Sequence, residues 1–278
     1  MMGLSSIEWC DFTFNPWIGC EKVSSGCDFC YAEEAQDHRY HRVKWGGGPG
    51  STRYRTKQGT WKNPAKWDKD ARLDRVRRKV FCASLSDVFE DRAELKPWRV
   101  DLFEEIYKRQ HLDWLMLTKR PENVLAMINE SIPVAGKSDA AFRKSFPHVW
   151  FGTSVENQAA FKHRWPLLKA LPGAVLFLSI EPLLKPVILS DDFLSTPNVW
   201  VIVGGESGPN ARECAVEWIS TIRNQCAASG VPCFIKQLGA NSVTGINRDR
   251  IQHKHDKGGD MNEWISSLHV RQFPKAVW

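Results

Sequence analysis

The 278-residue chain has no run of apolar residues approaching the 18 or so that a membrane helix requires. It also lacks the basic and then apolar start of a secretory signal, because Glu8 and Asp11 stand where those regions would lie. The expectation is therefore a cytoplasmic protein without membrane contact. Hydrophobic residues make up 42% of the chain and charged residues 25%, so the low hydrophobicity of a disordered chain is missing too. The run Gly204-Gly205-Glu206-Ser207-Gly208 has neither the dinucleotide spacing nor the Walker spacing, and it implies only backbone clearance near a ligand. Cysteine is not scarce, at eight residues, but a chain of this size in a reducing compartment is no disulfide-stapled miniprotein.

What is present is an alternation of strand and helix. Short apolar runs at 80–85, 114–117, 149–152, 175–180, 199–203 and 233–235 show little strict alternation, as expected of strands buried on both faces of a parallel sheet. Helical patterns at 98–109, 121–129, 158–171 and 215–229 fit between them. With a first strand near 14–18, this predicts about six or seven βα units in an α/β fold. Nearly every strand ends in polar residues: Ser84, Ser86 and Asp87; Thr118, Lys119 and Arg120; Thr153, Ser154, Glu156 and Asn157; Ser179 and Glu181; Glu206 and Ser207; Lys236 and Gln237. A full or partial (βα) TIM-type barrel would use all six sets at one edge, whereas an open sheet would use only its switch point. The expected organisation is one domain, 1–278, with a basic insertion at 39–79 after the first strand.

That insertion carries 14 Lys and Arg against 3 Asp, a charge of +11, so the rest of the chain sums to −5. It interleaves Tyr40, Trp45, Tyr54, Trp61 and Trp67 with the cations and ends in a helix-like basic run at 63–79. Cations that neutralise phosphates, beside aromatics that stack on bases, suit DNA or RNA. Trp61, Trp67, Arg75, Arg77, Arg78 and Lys79 are the expected contacts; the alternative is a solvated basic face whose aromatics pack inward.

Cys82, Cys214, Cys226 and Cys233 lie in apolar or helical patterns and read as buried thiols. Cys20, Cys27 and Cys30 differ, because they fall within eleven residues directly after the first strand. Thiolates select zinc, copper(I) or iron-sulfur clusters. Three close cysteines match a cubane whose fourth iron has no protein thiolate, while Cys10, His38 or His41 could instead complete a structural zinc site. Glu181 and Glu206 could bind a ligand or pair with Lys119, Arg120 or Arg212. Lys236 could meet a phosphate or a carboxylate.

Cys27-Asp28-Phe29-Cys30 resembles the second half of the radical S-adenosylmethionine signature, although the first gap is six residues where that superfamily usually has three. The wider chain resembles the phage-associated three-cysteine-motif family, with spore photoproduct lyase as a distant relation. Landmarks include Thr13-Phe14-Asn15-Pro16, Gly19-Cys20, Ser25-Gly26-Cys27, Cys30-Tyr31-Ala32-Glu33, Leu117-Thr118-Lys119-Arg120-Pro121, Ser179-Ile180-Glu181-Pro182 and Lys257-Gly258-Gly259-Asp260. The resemblance implies a [4Fe-4S] cluster on Cys20, Cys27 and Cys30, S-adenosylmethionine as cofactor, and a 5′-deoxyadenosyl radical as the reactive species. It further implies an electron donor such as a flavodoxin or ferredoxin, and a nucleic acid or nucleotide as substrate for repair or base modification. Phe29 would lie near the adenine, Ser84, Ser86 and Asp87 near the methionine part, and Thr153, Ser154, Glu156 and Asn157 near the ribose. Glu181 and Glu206 complete the expected cofactor contacts. Two other classes stay open: a zinc- or cluster-stabilised nucleic-acid binder without catalysis, and a radical enzyme for a small metabolite or peptide.

Overall fold

The computed structural model describes residues 4–132 and 138–275. The main sheet has seven strands in the hydrogen-bonded order β1 (Phe12–Thr13), β4 (Arg78–Cys82), β5 (Leu112–Thr118), β6 (Val149–Ser154), β7 (Leu176–Ile180), β8 (Val199–Gly204) and β10 (Cys233–Gln237). The order ascends along the chain without reversal, so the switch point that defines a doubly wound sheet is absent. The pairs β1–β4, β4–β5, β7–β8 and β8–β10 are parallel.

Two compact units divide the chain. The first holds the residues up to Val23 together with Cys30–Gly152 and Leu167–Ala174. Its strands β4 and β5 are joined by helix α2 (Leu95–Lys108), and α3 (Pro121–Ser131) follows β5. Pro121 opens α3, at a position where a missing N–H costs nothing. Phe14, Phe89, Phe103, Trp114, Phe142, Phe146 and Phe151 are buried here, and each large ring removed from water contributes roughly 1.5–3 kcal/mol.

In the same unit, the expected first strand at 14–18 is resolved into two pieces. Phe12–Thr13 joins the main sheet, while β2 (Trp17–Ile18) pairs antiparallel with β3 (Tyr54–Arg55) of the insertion. The basic run is also shorter as a helix than its composition suggests. Helix α1 spans Asn63–Asp74 and stops at Arg75, which takes a left-handed conformation at φ 55°. Arg78 and Lys79 then belong to β4.

The second unit holds Ser24–Phe29, Thr153–Pro166 and the chain from Val175 onward. Helix α4 (Gln158–Lys169) begins in it, and α5 (Val216–Ser229) ends on Gly230 in the left-handed conformation that terminates helices. Strands β7, β8 and β10 bury Phe177, Trp200 and Phe234. Beside them, β9 (Cys214–Ala215), β11 (Ser242–Thr244) and β12 (Asp249–Arg250) form a small sheet. Gly205, just beyond β8, is required by backbone packing: a Cβ there would lie 2.3 Å from Leu238 O. The clearance expected for a ligand therefore serves the neighbouring chain at this position.

Among the described residues, no helix is long and apolar enough to cross a membrane.

Candidate functional site

In the first unit the cysteine loop leaves β2 through Gly19, whose φ is +110° and where a Cβ would lie 2.8 Å from both Thr52 O and the Arg53 Cδ. Only glycine meets both demands. Gly19 N donates to Leu85 O (3.0 Å), which ties the start of the loop to the segment after β4. Beneath it, Arg53 Nε donates to Glu90 Oε2 (2.7 Å), and the two side chains are 0% and 2% exposed.

Cys20 Sγ accepts a hydrogen bond from Arg120 Nη1 at 3.6 Å. The same nitrogen donates to Asp87 Oδ2 (3.1 Å), while Arg120 Nη2 donates to Glu21 O (2.9 Å). Asp87 also accepts from Phe89 N, Thr118 Oγ1 and Lys119 N. Its oxygens are thus engaged within the chain, and Asp87 serves to present Arg120 to the sulfur. Burial pushes the Cys20 thiol up to about 12, and the Asp87 charge adds to this while Arg120 opposes it.

Ser84 is held by Asn15, whose Oδ1 accepts from Ser84 N (2.8 Å), and the Tyr31 hydroxyl donates to Ser84 O (2.8 Å). Tyr31 directly follows Cys30, so this contact anchors the third cysteine to the end of β4. The Ser86 hydroxyl is buried without a hydrogen-bond partner.

In the second unit, Cys27 lies in a single turn of 3₁₀ helix, Ser25–Cys27. Arg212 clamps this segment: Nη1 donates to Ser25 O (2.8 Å) and to Asp28 Oδ2 (3.0 Å), and the guanidinium lies 5.0 Å from the Phe29 ring centre. Glu206 receives the rest of the same guanidinium through Nε (2.9 Å) and Nη2 (2.7 Å). Glu156 pairs with Arg164 (2.8 Å), and a Cβ on Gly26 would lie 3.3 Å from the Glu156 Cδ. Burial raises the Glu156 pKa, but the Ser24 hydroxyl and Arg164 together bring it below the ordinary carboxylate value. Asn157 Oδ1 accepts from Ala160 N and so caps the start of α4. Glu181 pairs with Lys236 (3.1 Å), and Thr153 and Ser154 are buried at the end of β6.

The nucleic-acid candidates all fall in the first unit, where several are committed to the fold. Trp67 stacks on Phe12 at 4.5 Å and is 7% exposed, which leaves no ring face for a base. Trp61 meets Phe14 edge to face, with Arg55 over its ring. Arg77 binds Asp113 and two carbonyls, and Arg78 binds Asp11 and Asp74. Lys79 donates its backbone N–H to Asp11. Arg75 is exposed, as are Lys66, Lys69 and Arg72 along α1 and Lys62 just before it.

The chain belongs to the family described as a protein of unknown function, DUF5131. The family model matches residues 4–266 and so covers the whole cysteine loop and every strand of the main sheet. No curated protein and no solved structure is detectably similar.

The donor set suits a soft metal centre in its chemistry: Cys20, Cys27 and Cys30 are free thiols, each partly open to solvent, whereas Cys82, Cys214, Cys226 and Cys233 are buried. Among the described residues, no three His, Cys, Asp or Glu side chains are gathered into a metal-binding group. Of the rival zinc ligands, His38 is paired with Glu34, and Cys10 hydrogen-bonds to Ile7 O. Arg120, which belongs to a landmark motif, holds Cys20, and Arg212 holds the Cys27 segment. The pairing of Glu206 with Arg212, one of the alternatives open in the sequence, is present.

Proposed function

We propose that the protein is an iron-sulfur radical S-adenosylmethionine enzyme acting on a nucleic acid or nucleotide, on a full or partial TIM-type barrel in the cytoplasm. The observation that carries this reading is the difference among the thiols: Cys20, Cys27 and Cys30, three partly exposed thiols within one short loop with Arg120 donating to Cys20, contrast with the buried Cys82, Cys214, Cys226 and Cys233. The ascending strand order supports the barrel, since a barrel needs every strand end at one edge.

In this reading Cys20, Cys27 and Cys30 hold a [4Fe-4S] cluster. Such a cluster would supply one-electron reducing chemistry toward the sulfonium of S-adenosylmethionine, with methionine as the other fragment. The chain's own contribution is orientation and charge. Arg120 donates to the Cys20 sulfur, and hydrogen bonds of this kind help set cluster potentials. The unpartnered Ser86 hydroxyl offers a donor to the cofactor's methionine part, and the half-exposed Phe29 ring offers a face to its adenine.

Anaerobic reconstitution tests the reading. The expected product is brown, with about four iron and four sulfide per chain, as a cubane requires. Cys20→Ala, Cys27→Ala and Cys30→Ala should each lose the cluster, and Cys226→Ala should keep it. The reduced holoprotein should bind S-adenosylmethionine and form 5′-deoxyadenosine. A full cluster in Cys20→Ala, or an intact holoprotein that neither binds nor cleaves the cofactor, would overturn the proposal. A colourless zinc protein would point to the non-catalytic binder.

A further inference from the structure

A second site lies wholly within the second unit, away from the cysteines. Beyond β8 and β10 the chain encloses an open cleft of about 730 Å³. Small-molecule sites commonly span ~300–1,000 Å³. One wall is the Ser207-Gly208-Pro209 turn, with Ala240 and Asn241 after β10. Ala240 N donates to Glu206 O (2.8 Å), and Asn241 Nδ2 donates to Ala211 O (3.2 Å), so this wall is stitched across two strand ends.

The facing wall carries the charge. Arg250 projects from β12, and His255, Asp256 and Lys257 follow on a loop. That loop is fixed rather than loose: Leu238 N donates to Gly258 O (3.0 Å), Gly239 N to Lys257 O (3.2 Å), and Trp264 Nε1 to Gly258 O (3.0 Å). The Ser242 hydroxyl and His253 Nε2, 2.6 Å apart, anchor its start. The Lys257-Gly258-Gly259-Asp260 motif thus acts as a shelf beside the last sheet strand. Among the described residues, no carboxylate lies within ion-pair distance of Arg250.

We infer that this cleft binds the sugar-phosphate part of a nucleotide, either free or within a nucleic-acid strand. Arg250 and Lys257 line the cleft with the single acid Asp256, so an anion is favoured. A guanidinium matches phosphate oxygens with paired donors, and an ammonium adds a point charge. The lining has no Phe, Tyr, Trp or large aliphatic side chain, so stacking on a base would rest on the His255 ring and the Arg250 guanidinium alone. Small polar and backbone groups suit a ribose. The site does not depend on a bound cluster, and it can be tested on the metal-free full-length chain.

The test is fluorescence anisotropy with a labelled ten-nucleotide single strand, competed by ribose 5-phosphate, inorganic phosphate and ribose. Saturable binding is expected, and Arg250→Ala should weaken it about tenfold, since its phosphate contact is lost. Asp256→Asn should tighten it by removing the opposing charge. Arg248→Ala, at a residue held by Glu213 and Trp218 outside the cleft, should leave it unchanged. Displacement by ribose 5-phosphate would assign a free sugar phosphate as the ligand, and strand binding without such displacement would assign the nucleic-acid backbone. Unchanged affinity in both Arg250→Ala and Asp256→Asn would overturn the inference. So would ribose or inorganic phosphate competing as well as ribose 5-phosphate.

Discussion

Cys20 and Cys27 sit in one short loop but are held by charge in different settings. Around Cys20 the charges are buried, with Arg53 and Glu90 sealed from solvent and Arg120 and Asp87 each 8% exposed. Around Cys27 the setting is mixed: the Arg212–Asp28 pair is 26% and 54% exposed, whereas Glu206 and the Glu156–Arg164 pair behind Gly26 are buried. Buried pairs are costly to break and weakly screened, whereas exposed pairs contribute little stability. Cys20 is therefore held by a buried network, while on the Cys27 side only the Asp28 arm of the Arg212 clamp can yield at small cost.

The largest test of this contrast is Glu90→Gln. It leaves Arg53 buried without its counter-charge, and such losses cost about 3–5 kcal/mol. Urea unfolding should show that drop, with the Gly19–Cys20 turn loosened as Arg53 shifts. A cost near that of a surface pair would mean that the Cys20 side is no stiffer than the Cys27 side.

Acid should separate the two regions by pH window. His148, in the first unit, donates through Nε2 to Ile106 O, and burial lowers its pKa to about 4. It is neutral in the fold and charges more readily when unfolded, so its stabilisation is complete above the unfolded value near 6.5. That contribution falls away as pH drops toward 4, by up to ~3 kcal/mol from a shift of this size. Glu156, in the second unit, has a lowered pKa, so its contribution is present above the ordinary carboxylate value and is lost only as pH falls below it. Unfolding measured at pH 7, 5.5 and 4.5 should therefore show a loss that His148→Gln abolishes. If His148→Gln leaves the slope unchanged, the acid sensitivity lies elsewhere.

The contrast between the two ends of the loop was only partly legible in the sequence. Apolar runs such as 199–203 marked the strands because both faces are buried, and their polar ends marked the edge that carries Asp87, Glu156 and Glu206. The two-residue strand Phe12–Thr13 has no period to read, whereas the more apolar 14–18 beside it does read as a strand. Arg75 ends its helix without the glycine or proline that announces a stop. Trp67 shows the ambiguity of aromatic and basic mixtures, because a ring that stacks on Phe12 looks the same in sequence as one awaiting a base. The cysteines were legible by spacing, but Arg120 lies 33 residues from Asp87 and Arg212 lies 184 from Asp28. No periodicity reaches across such separations.

The smallest expected effect is the most diagnostic for the loop. Asp28→Asn removes a half-exposed partner of Arg212, and the loss of such a pair changes stability by ~0–1 kcal/mol. Glu206 still holds the guanidinium, so the fold should survive. The Ser25–Phe29 segment, however, loses one of its two polar ties to Arg212 and keeps only the Ser25 carbonyl. Local opening should then rise without global unfolding, because segments with few buried contacts open independently of the core. Alkylation of the metal-free chain, followed by peptide mass spectrometry, reads this directly. Cys27 should label faster in Asp28→Asn, while Cys20, whose thiol burial pushes up, should keep its slow rate. Equal acceleration at both cysteines would show the loop moving as one piece. No acceleration at either would mean that Gly26 packed against Glu156, rather than the Arg212 clamp, fixes the Cys27 segment.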